Sequence, residues 1–238
     1  RIKLVHSIRK GMANPLSICT IKDISGFKDC IAYGEYGWNE NRDPINIVRC
    51  INGVWDAVYT FPKNSICHIH ALIPDKREAC VYVLTGDKDN ESGIWKATND
   101  FRCIVPVLYG KQSYRSCAAF IDEKLMVYAT DTPLEDNFLY ETDLHSNTEI
   151  IMGIPGPVIN GETIGGDWWF ATTVEQNPNL PKIRHCISNR KAPGNKDRYV
   201  HIFCRNSAAE VKDVIQMKKD LLPMWLFQFG NVSFVKNY

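Results

Sequence analysis

The feature that most constrains this chain is a two-strand pattern that recurs along it. In residues 80–101, CVYVLTGDKDNESGIWKATNDF, an apolar run leads into a cluster of Gly, Asp, Asn, Glu and Ser, and a second run opens on Gly-Ile-Trp. Two apolar runs joined by such turn-forming residues are typical of a β-hairpin with a loop of several residues. A chain built from copies of this unit is expected to be all-β.

The same pattern occurs in residues 30–50 and 125–143, and in a weaker form in residues 168–188. Its copies follow one another at intervals of 52, 44 and 42 residues, counted between the first turn residues Glu35, Asp87, Asp131 and Thr173. A period of this size, with about four short strands per repeat, is typical of β-propeller blades. The chain of 238 residues therefore predicts one β-propeller domain over residues 1–238, most simply with five blades and alternatively with six.

Four blades can be placed on the sequence, at residues 17–61, 67–109, 114–154 and 158–219. Residues 1–10 alternate like a strand without a hairpin partner, and residues 225–235 suggest two short strands before the chain stops. We expect the N-terminal strand to complete the sheet begun at the C-terminus, which closes the ring and removes unpaired edges. The single candidate helix spans residues 208–222, although its EVKDVIQM core also fits a strand.

Composition excludes several classes of protein. The 28 basic and 27 acidic side chains give a formal charge of +1, which argues against a nucleic-acid partner. No run of about 18 apolar residues predicts a membrane span, and the first residues do not resemble a signal peptide. Nine cysteines show no metal-binding spacing and lie mostly in apolar runs, which favours free, buried thiols and a cytoplasmic location.

The segment GIWKATNDFRCIVPVL, residues 93–108, resembles the repeat of BNR or sialidase-like β-propellers. In that repeat a Gly-aliphatic-aromatic sequence leads into Ser or Thr, an Asp-containing turn and a closing aromatic residue, and Thr98, Asn99, Asp100 and Phe101 stand near those positions. Over residues 67–140 the chain is similar to sialidase-like or BNR-repeat propellers of bacteria and archaea. The resemblance implies the propeller fold more firmly than any activity, because propellers as a class carry many functions.

Equivalent positions in consecutive blades suggest a site. If the first strand of each blade lines the channel, the residues that open these strands converge, and they are Asn14, His68, Arg115 and Glu162. Intervals of 47 residues separate His68 from Arg115 and Arg115 from Glu162. Arg binds carboxylates as a planar fork, His transfers protons near neutrality, and Glu acts as acid, base or nucleophile. We therefore expect these three residues to be catalytic, or else to form a structural ion pair with a turn-capping histidine.

Further residues are candidates for binding substrate. His70 shares a strand face with His68, a pairing that suits a metal but lacks a third ligand nearby in the sequence, so we predict hydrogen bonding and no metal or other cofactor. The turn acids could collect calcium or simply bond their own backbone, and Trp38 is a platform for stacking a sugar. The predicted substrate-binding residues are His70, Asn14, Trp38, Glu35, Asp87 and Asp131.

True sialidases recognise a carboxylate with three arginines and use a tyrosine nucleophile, whereas this chain offers only Arg115 at a strand start. Sialidase activity itself is therefore not expected. The sequence predicts a protein that binds an oligosaccharide or polysaccharide. A pair of carboxylates could also cleave an acidic sugar there. The alternatives are a non-catalytic scaffold that binds a protein or glycan through its loops, and a calcium-dependent lectin.

Overall fold

The computed structural model describes residues 4–122, 125–145, 147–181, 187–224, 226 and 232–234. These residues form four sheets, and every sheet is an antiparallel meander of four strands that are consecutive in the sequence. The first sheet contains β1 (Cys19–Ile21), β2 (Cys30–Gly34), β3 (Ile45–Ile51) and β4 (Val54–Phe61). The second contains β5 (His68–Asp75), β6 (Cys80–Gly86), β7 (Gly93–Thr98) and β8 (Cys103–Tyr109).

The third sheet contains β9 (Ser116–Ile121), β10 (Met126–Thr130), β11 (Asn137–Thr142) and β12 (Thr148–Ile154). The fourth contains β13 (Val158–Ile164), β14 (Asp167–Thr172), β15 (Tyr199–Arg205) and β16 (Val211–Lys218). Two short 3-10 turns, Asp89–Glu91 and Gln112–Tyr114, are the helical elements of the described residues. The candidate helix at residues 208–222 is therefore a strand, β16, and its alternating side chains pair with β15.

A meander of four antiparallel strands is the construction of a propeller blade, so the prediction of an all-β β-propeller is confirmed. The number of blades is four, and the predictions of five or six were wrong. All four predicted blade ranges contain the observed sheets. The error arose because the chain length was divided by the repeat. The fourth blade carries a long connection between β14 and β15, and the described residues outside the four sheets form no further blade.

The expected closure by an N-terminal strand is also corrected. Residues 4–10 form no strand, and their alternation does not bury a face, since Leu4 and Val5 are 78% and 73% exposed. The segment is held instead by polar and aromatic contacts: His6 stacks on Trp55 at a ring distance of 4.3 Å, and Arg9 binds Glu35. The predicted strands in residues 225–235 fall largely outside the described residues, and residues 226 and 232–234 belong to no strand.

The chain forms two compact units, Arg1–Ser116 and Cys117–Tyr238, the first of which contains the first and second sheets. In the first three sheets the second strand is the most buried, and β6 is completely buried. The fourth strands β8 and β16 consist of half-buried and exposed positions. Each sheet also has a register shift between its third and fourth strands, which marks the four sheets as copies of one unit.

The turn between β7 and β8 fastens the second sheet to the first. Phe101 is fully buried there and meets Phe27 edge to face at 5.2 Å, a contact that removes two large rings from water. Asp100 reaches Arg49 on β3. Asn99, Asp100 and Phe101 all have left-handed backbone angles, φ 53°, 55° and 66°, so the turn that resembles the BNR repeat has a structural role in the first unit.

Candidate functional site

Two histidines at the start of β5 form the centre of the candidate site. His68 pairs with Gly86 and Ile69 with Thr85, but the register shifts before Ala71, so His70 occupies a β-bulge. Both imidazoles are buried, and their Nε2 atoms lie 3.0 Å apart. The two side chains therefore lie close together, as predicted, and a β-bulge at His70 accompanies this contact.

Backbone carbonyls fix the orientation of both rings. Nδ1 of His68 lies 2.9 Å from the carbonyl oxygen of Gly37, and Nδ1 of His70 lies 3.0 Å from that of Ser116. A carbonyl oxygen can only accept a hydrogen bond, so each Nδ1 carries a hydrogen and donates it. In a neutral imidazole the other nitrogen, Nε2, then holds a lone pair. The two Nε2 atoms face each other at 3.0 Å, so a proton or another cation placed between them would join the two rings.

Asp87 completes the cluster from the turn that follows β6. Its Oδ1 lies 3.3 Å from Nε2 of His68, 3.9 Å from Nε2 of His70 and 3.2 Å from Nη2 of Arg115. The backbone carbonyl of Asp87 accepts further hydrogen bonds from Gln112 at 2.9 Å and from Arg115 at 3.1 Å. The carboxylate is thus held between two imidazoles and a guanidinium.

Gly86 makes this approach possible. A Cβ atom at this position would lie 2.4 Å from Cε1 of His70 and 3.3 Å from Cγ of Arg115. Real Cβ atoms do not come so close to a ring carbon, so any larger residue would displace His70. The glycine is therefore required by the close packing of the site.

Charge is concentrated on two of these groups. Burial alone would lower the pKa of His68, but hydrogen bonds with Asp87 and Cys67 and the charge of Asp87 outweigh it and raise that pKa to about 10. For Asp87, burial acts to raise the pKa, while hydrogen bonds from His68 and His70 and the charges of His68 and Arg115 hold it well below its usual range. Without a bound metal, His68 is a cation and Asp87 an anion at neutral pH.

Cys67 adds a sulfur next to the histidines. It is buried, and its Sγ lies within 4.8 Å of a ring nitrogen of His68 and a carboxylate oxygen of Asp87. These three residues, with His70 beside them, offer nitrogen, oxygen and sulfur donors, the set that zinc and related ions prefer. The sequence analysis singled out His68, His70 and Asp87, but it did not include Cys67 and did not predict that Asp87 lies against both histidines.

A cavity of about 420 Å³ opens beside the cluster. This volume is in the range of small-molecule sites. Trp38 is 82% exposed and borders the cavity, so one aromatic face is available to a ligand. The lining residues are Trp38, Asn39, Glu40, Arg42, Cys67, Asp87 and Lys88.

Buried polar contacts hold one wall of this cavity. Asn39 donates from Nδ2 to the carbonyl oxygens of Asp43 and Cys67, at 2.9 and 3.0 Å. Arg42 donates to the carbonyl oxygen of Asn39 and forms a 2.6 Å ion pair with the buried Glu91. The hydrogen bond with Glu91 is the main cause of a raised pKa at Arg42. The loop that carries Trp38 is thereby fixed to the start of β5.

The other predicted site residues fall in different environments. Arg115 immediately precedes β9 and binds Asp87, as described above, so His68 and Arg115 share one carboxylate. Glu162 is the fifth residue of β13 and does not open the strand as expected. The equal spacing was misleading because β13 already begins at Val158. Glu162 belongs to the second unit, where its Oε1 accepts a hydrogen bond from the backbone of Thr163 at 2.9 Å.

Three further predicted residues have local roles or lie at the surface. Asn14 is exposed and precedes β1 instead of opening it. Glu35 is buried and its two carboxylate oxygens accept hydrogen bonds from Arg9 at 2.7 and 2.6 Å. Asp131 follows β10 in the second unit, is buried, and accepts a hydrogen bond from Cys117 at 3.4 Å.

A comparison of the chain with protein-family models and a comparison with curated proteins found no match. Within the part of the chain that the structure describes, no helix has the length and apolar character needed to cross a membrane.

Proposed function

We propose that the protein binds a carbohydrate in the cavity bordered by Trp38. The observation that carries this proposal is a tryptophan that is 82% exposed at the edge of a 420 Å³ cavity, whose other lining residues except Cys67 have polar or charged side chains. Sugars present an apolar ring face between hydroxyl groups, so they stack on aromatic side chains and form hydrogen bonds with surrounding polar groups. The resemblance to sialidase-like propellers agrees with such a ligand.

An acidic sugar is the form of ligand that we propose. Lys88 is exposed at the cavity and can pair with a carboxylate there. Arg115, expected earlier to bind the acid, has its guanidinium engaged with Asp87, so Lys88 replaces it in this proposal. The ligand would therefore stack on Trp38 and place its carboxylate near Lys88.

Binding without cleavage is the activity that the site supports best. A two-carboxylate glycosidase needs one carboxylic acid that remains protonated until it donates to the leaving group. Asp87 is the carboxyl group closest to the histidines, and its lowered pKa keeps it ionised. Hydrolysis of the bound sugar remains the second activity to be measured on the same samples.

Titration with acidic and neutral oligosaccharides tests the proposal. We expect Trp38→Ala to weaken binding at least about tenfold, equal to ~1.4 kcal/mol, and Trp38→Phe to weaken it less because an aromatic face is kept. Lys88→Gln should weaken the binding of acidic sugars and leave the binding of neutral sugars unchanged. Val54→Ala, which removes an exposed apolar side chain from β4, is the control and should bind like the wild type.

Two results would contradict the proposal. One is a wild-type protein that binds no member of the acidic and neutral series, which would favour a non-catalytic protein-binding scaffold. The other is Trp38→Ala binding sugars as tightly as the wild type. Sugar release by the wild type would establish hydrolysis in addition to binding.

We also propose a reducing, cytoplasmic compartment for the chain, since all of its described cysteines are free. Mass spectrometry of the protein, isolated without reductant and alkylated, tests this proposal. The detection of disulfides would overturn it.

A further inference from the structure

We propose that His68, His70 and Asp87 form a binding site for a zinc-like transition-metal ion, with the sulfur of Cys67 as a nearby fourth donor. The inference concerns a different ligand from the carbohydrate and does not rest on the proposed function. It rests on the convergence of two ring nitrogens and a carboxylate oxygen in the first unit.

The first argument is the orientation of the imidazoles. Both Nδ1 atoms donate to backbone carbonyls, those of Gly37 and Ser116, and both Nε2 atoms point at one location. Metal-binding histidines characteristically use one ring nitrogen for the ion and the other to donate to a carbonyl or carboxylate, which fixes the ring. The same outer contacts are present here for both rings.

The second argument is the spacing of the donor atoms. The distances among Nε2 of His68, Nε2 of His70 and Oδ1 of Asp87 are 3.0, 3.3 and 3.9 Å. Zinc bonds to nitrogen and oxygen are about 2.0 to 2.2 Å long, so ligand atoms in a tetrahedral shell lie about 3.3 Å apart. The three atoms therefore already outline one face of such a tetrahedron.

The third argument is the chemistry of the surroundings. Arg115 contacts Oδ1 of Asp87 at 3.2 Å, and its positive charge opposes a second cation. The negative charge of Asp87 and the donor sulfur of Cys67 act against this repulsion, and the guanidinium also holds the carboxylate in position. Asp87 and Cys67 both line the 420 Å³ cavity, so the ion has a path of entry and a coordination position that a water molecule or ligand can reach.

A bound proton is the rival occupant of the same location. One imidazolium can donate from Nε2 to its neighbour or to Asp87 and so remove the clash of lone pairs. The two alternatives differ in measurable ways, because a proton gives no metal stoichiometry and no ligand-field spectrum.

Titration of untagged, chelator-treated protein with Zn²⁺ is the test. We expect one Zn²⁺ per chain, measured by calorimetry and by elemental analysis after desalting. Outer-shell partners alone are worth about 10- to 100-fold in metal affinity, so loss of a ligand in Asp87→Asn or His70→Gln should weaken binding at least about 100-fold. His145→Ala removes an exposed histidine of the second unit and should leave binding unchanged.

A spectrum of the wild type with Co²⁺ gives an answer even if the variants fail to fold. Four-coordinate Co²⁺ absorbs strongly in the visible region, and a coordinated thiolate adds a near-ultraviolet band that Cys67→Ser should remove. The proposal is overturned if the wild type shows only the pale spectrum of hydrated Co²⁺, or if folded Asp87→Asn binds Zn²⁺ as tightly as the wild type. Trp38→Ala should retain the metal, so failure of sugar binding and failure of metal binding are distinguishable.

Discussion

Arg49 and Asp100 form an ion pair in which one guanidinium nitrogen of Arg49, Nη1, lies 2.9 Å from each carboxylate oxygen of Asp100. The arginine is on β3 of the first sheet, and the aspartate is in the β7–β8 turn of the second. Asp100 also accepts a hydrogen bond from the backbone of Lys28 at 3.2 Å. Both side chains of the pair are largely buried, so it fastens two neighbouring sheets at a position with little solvent screening.

Replacement of Asp100 should therefore destabilise the protein. We expect Asp100→Asn to lower the free energy of unfolding by about 1 to 3 kcal/mol near neutral pH, because it removes charged hydrogen bonds. Asp56→Asn is the matched control: Asp56 lies 3.4 Å from the same arginine but is 51% exposed, and its loss should change stability by less than about 1 kcal/mol. Urea unfolding of the three proteins measures both effects.

The contribution of Asp100 to the stability of the protein should be lost in acid. Burial acts to raise its pKa, but the hydrogen bonds from Arg49 and Lys28 and their charges lower it overall. A folded-state pKa below the unfolded one gives stability that is present above the ordinary Asp pKa and lost as pH falls through the lowered value. The difference in stability between wild type and Asp100→Asn should shrink in acid. A difference that is constant with pH would contradict this assignment.

Gly86→Ala should disturb the histidine cluster. The new methyl group would collide with His70, so we expect a loss of about 1 to 3 kcal/mol in stability, typical of overpacking. Gly153→Ala on β12 is the control, because its methyl group would meet Phe138 at 3.9 Å, an ordinary contact. Thermal unfolding and histidine NMR signals compare the two variants. Unchanged imidazole signals in Gly86→Ala would show that the site has more room than the structure indicates.

The Arg9→Ala substitution should destabilise the protein, because the buried carboxylate of Glu35 depends on Arg9 in the N-terminal segment for its hydrogen bonds. Glu35 is 2% exposed and would keep only the backbone hydrogen bond from Asn46 at 2.8 Å. Because Arg9 is itself partly exposed, we expect a loss of about 1 to 3 kcal/mol. Lys10→Ala removes an adjacent exposed cation and should be nearly neutral. Adding Glu35→Gln to Arg9→Ala should recover part of the loss, and a double variant with no recovery would argue against the ion pair.

The thiols should differ sharply in reactivity. Burial, with a smaller contribution from nearby Cys30, raises the pKa of Cys19 to about 12, so its thiol stays protonated at mildly alkaline pH. Cys103 is exposed on β8 and should react quickly with a disulfide reagent. Cys103→Ser should remove one fast-reacting equivalent from the native protein, whereas Cys19→Ser should leave the fast phase unchanged. A fast phase of unchanged amplitude in Cys103→Ser would refute this ranking.

The positions of the blades could be predicted from the sequence because each hairpin contains recognisable turn residues. Glu35, Asp87, Asp131 and Thr173 each directly follow the second strand of a sheet, so the repeat could be located from local residues alone. The blade count failed because the residues outside the sheets also entered the estimate. Residues 4–10 have the alternation of a strand, but alternation indicates a strand only where one face is buried.

The candidate site was predicted in part. His68 and His70 could be paired because side chains alternate along a strand, although the bulge at His70 was not visible in the sequence. Arg115 was located by the repeat and Asp87 by its turn, yet their ion pair depends on the conformation of both segments. The contacts of the rings with the backbone of Gly37 and Ser116 could not be predicted, since carbonyl groups carry no residue signature.

The antiparallel meanders described above have a kinetic consequence. Within the described part of the chain, every β-ladder joins strands that are neighbours in the sequence, and only the pairing of β14 with β15 requires the closure of a long loop. The entropy lost on closing a loop rises with its length, and proteins with sequence-local contacts fold faster. We expect the pairing of β15 with β14 to be the slowest ladder to form, so the fourth sheet should acquire protection from hydrogen exchange after the other three during refolding.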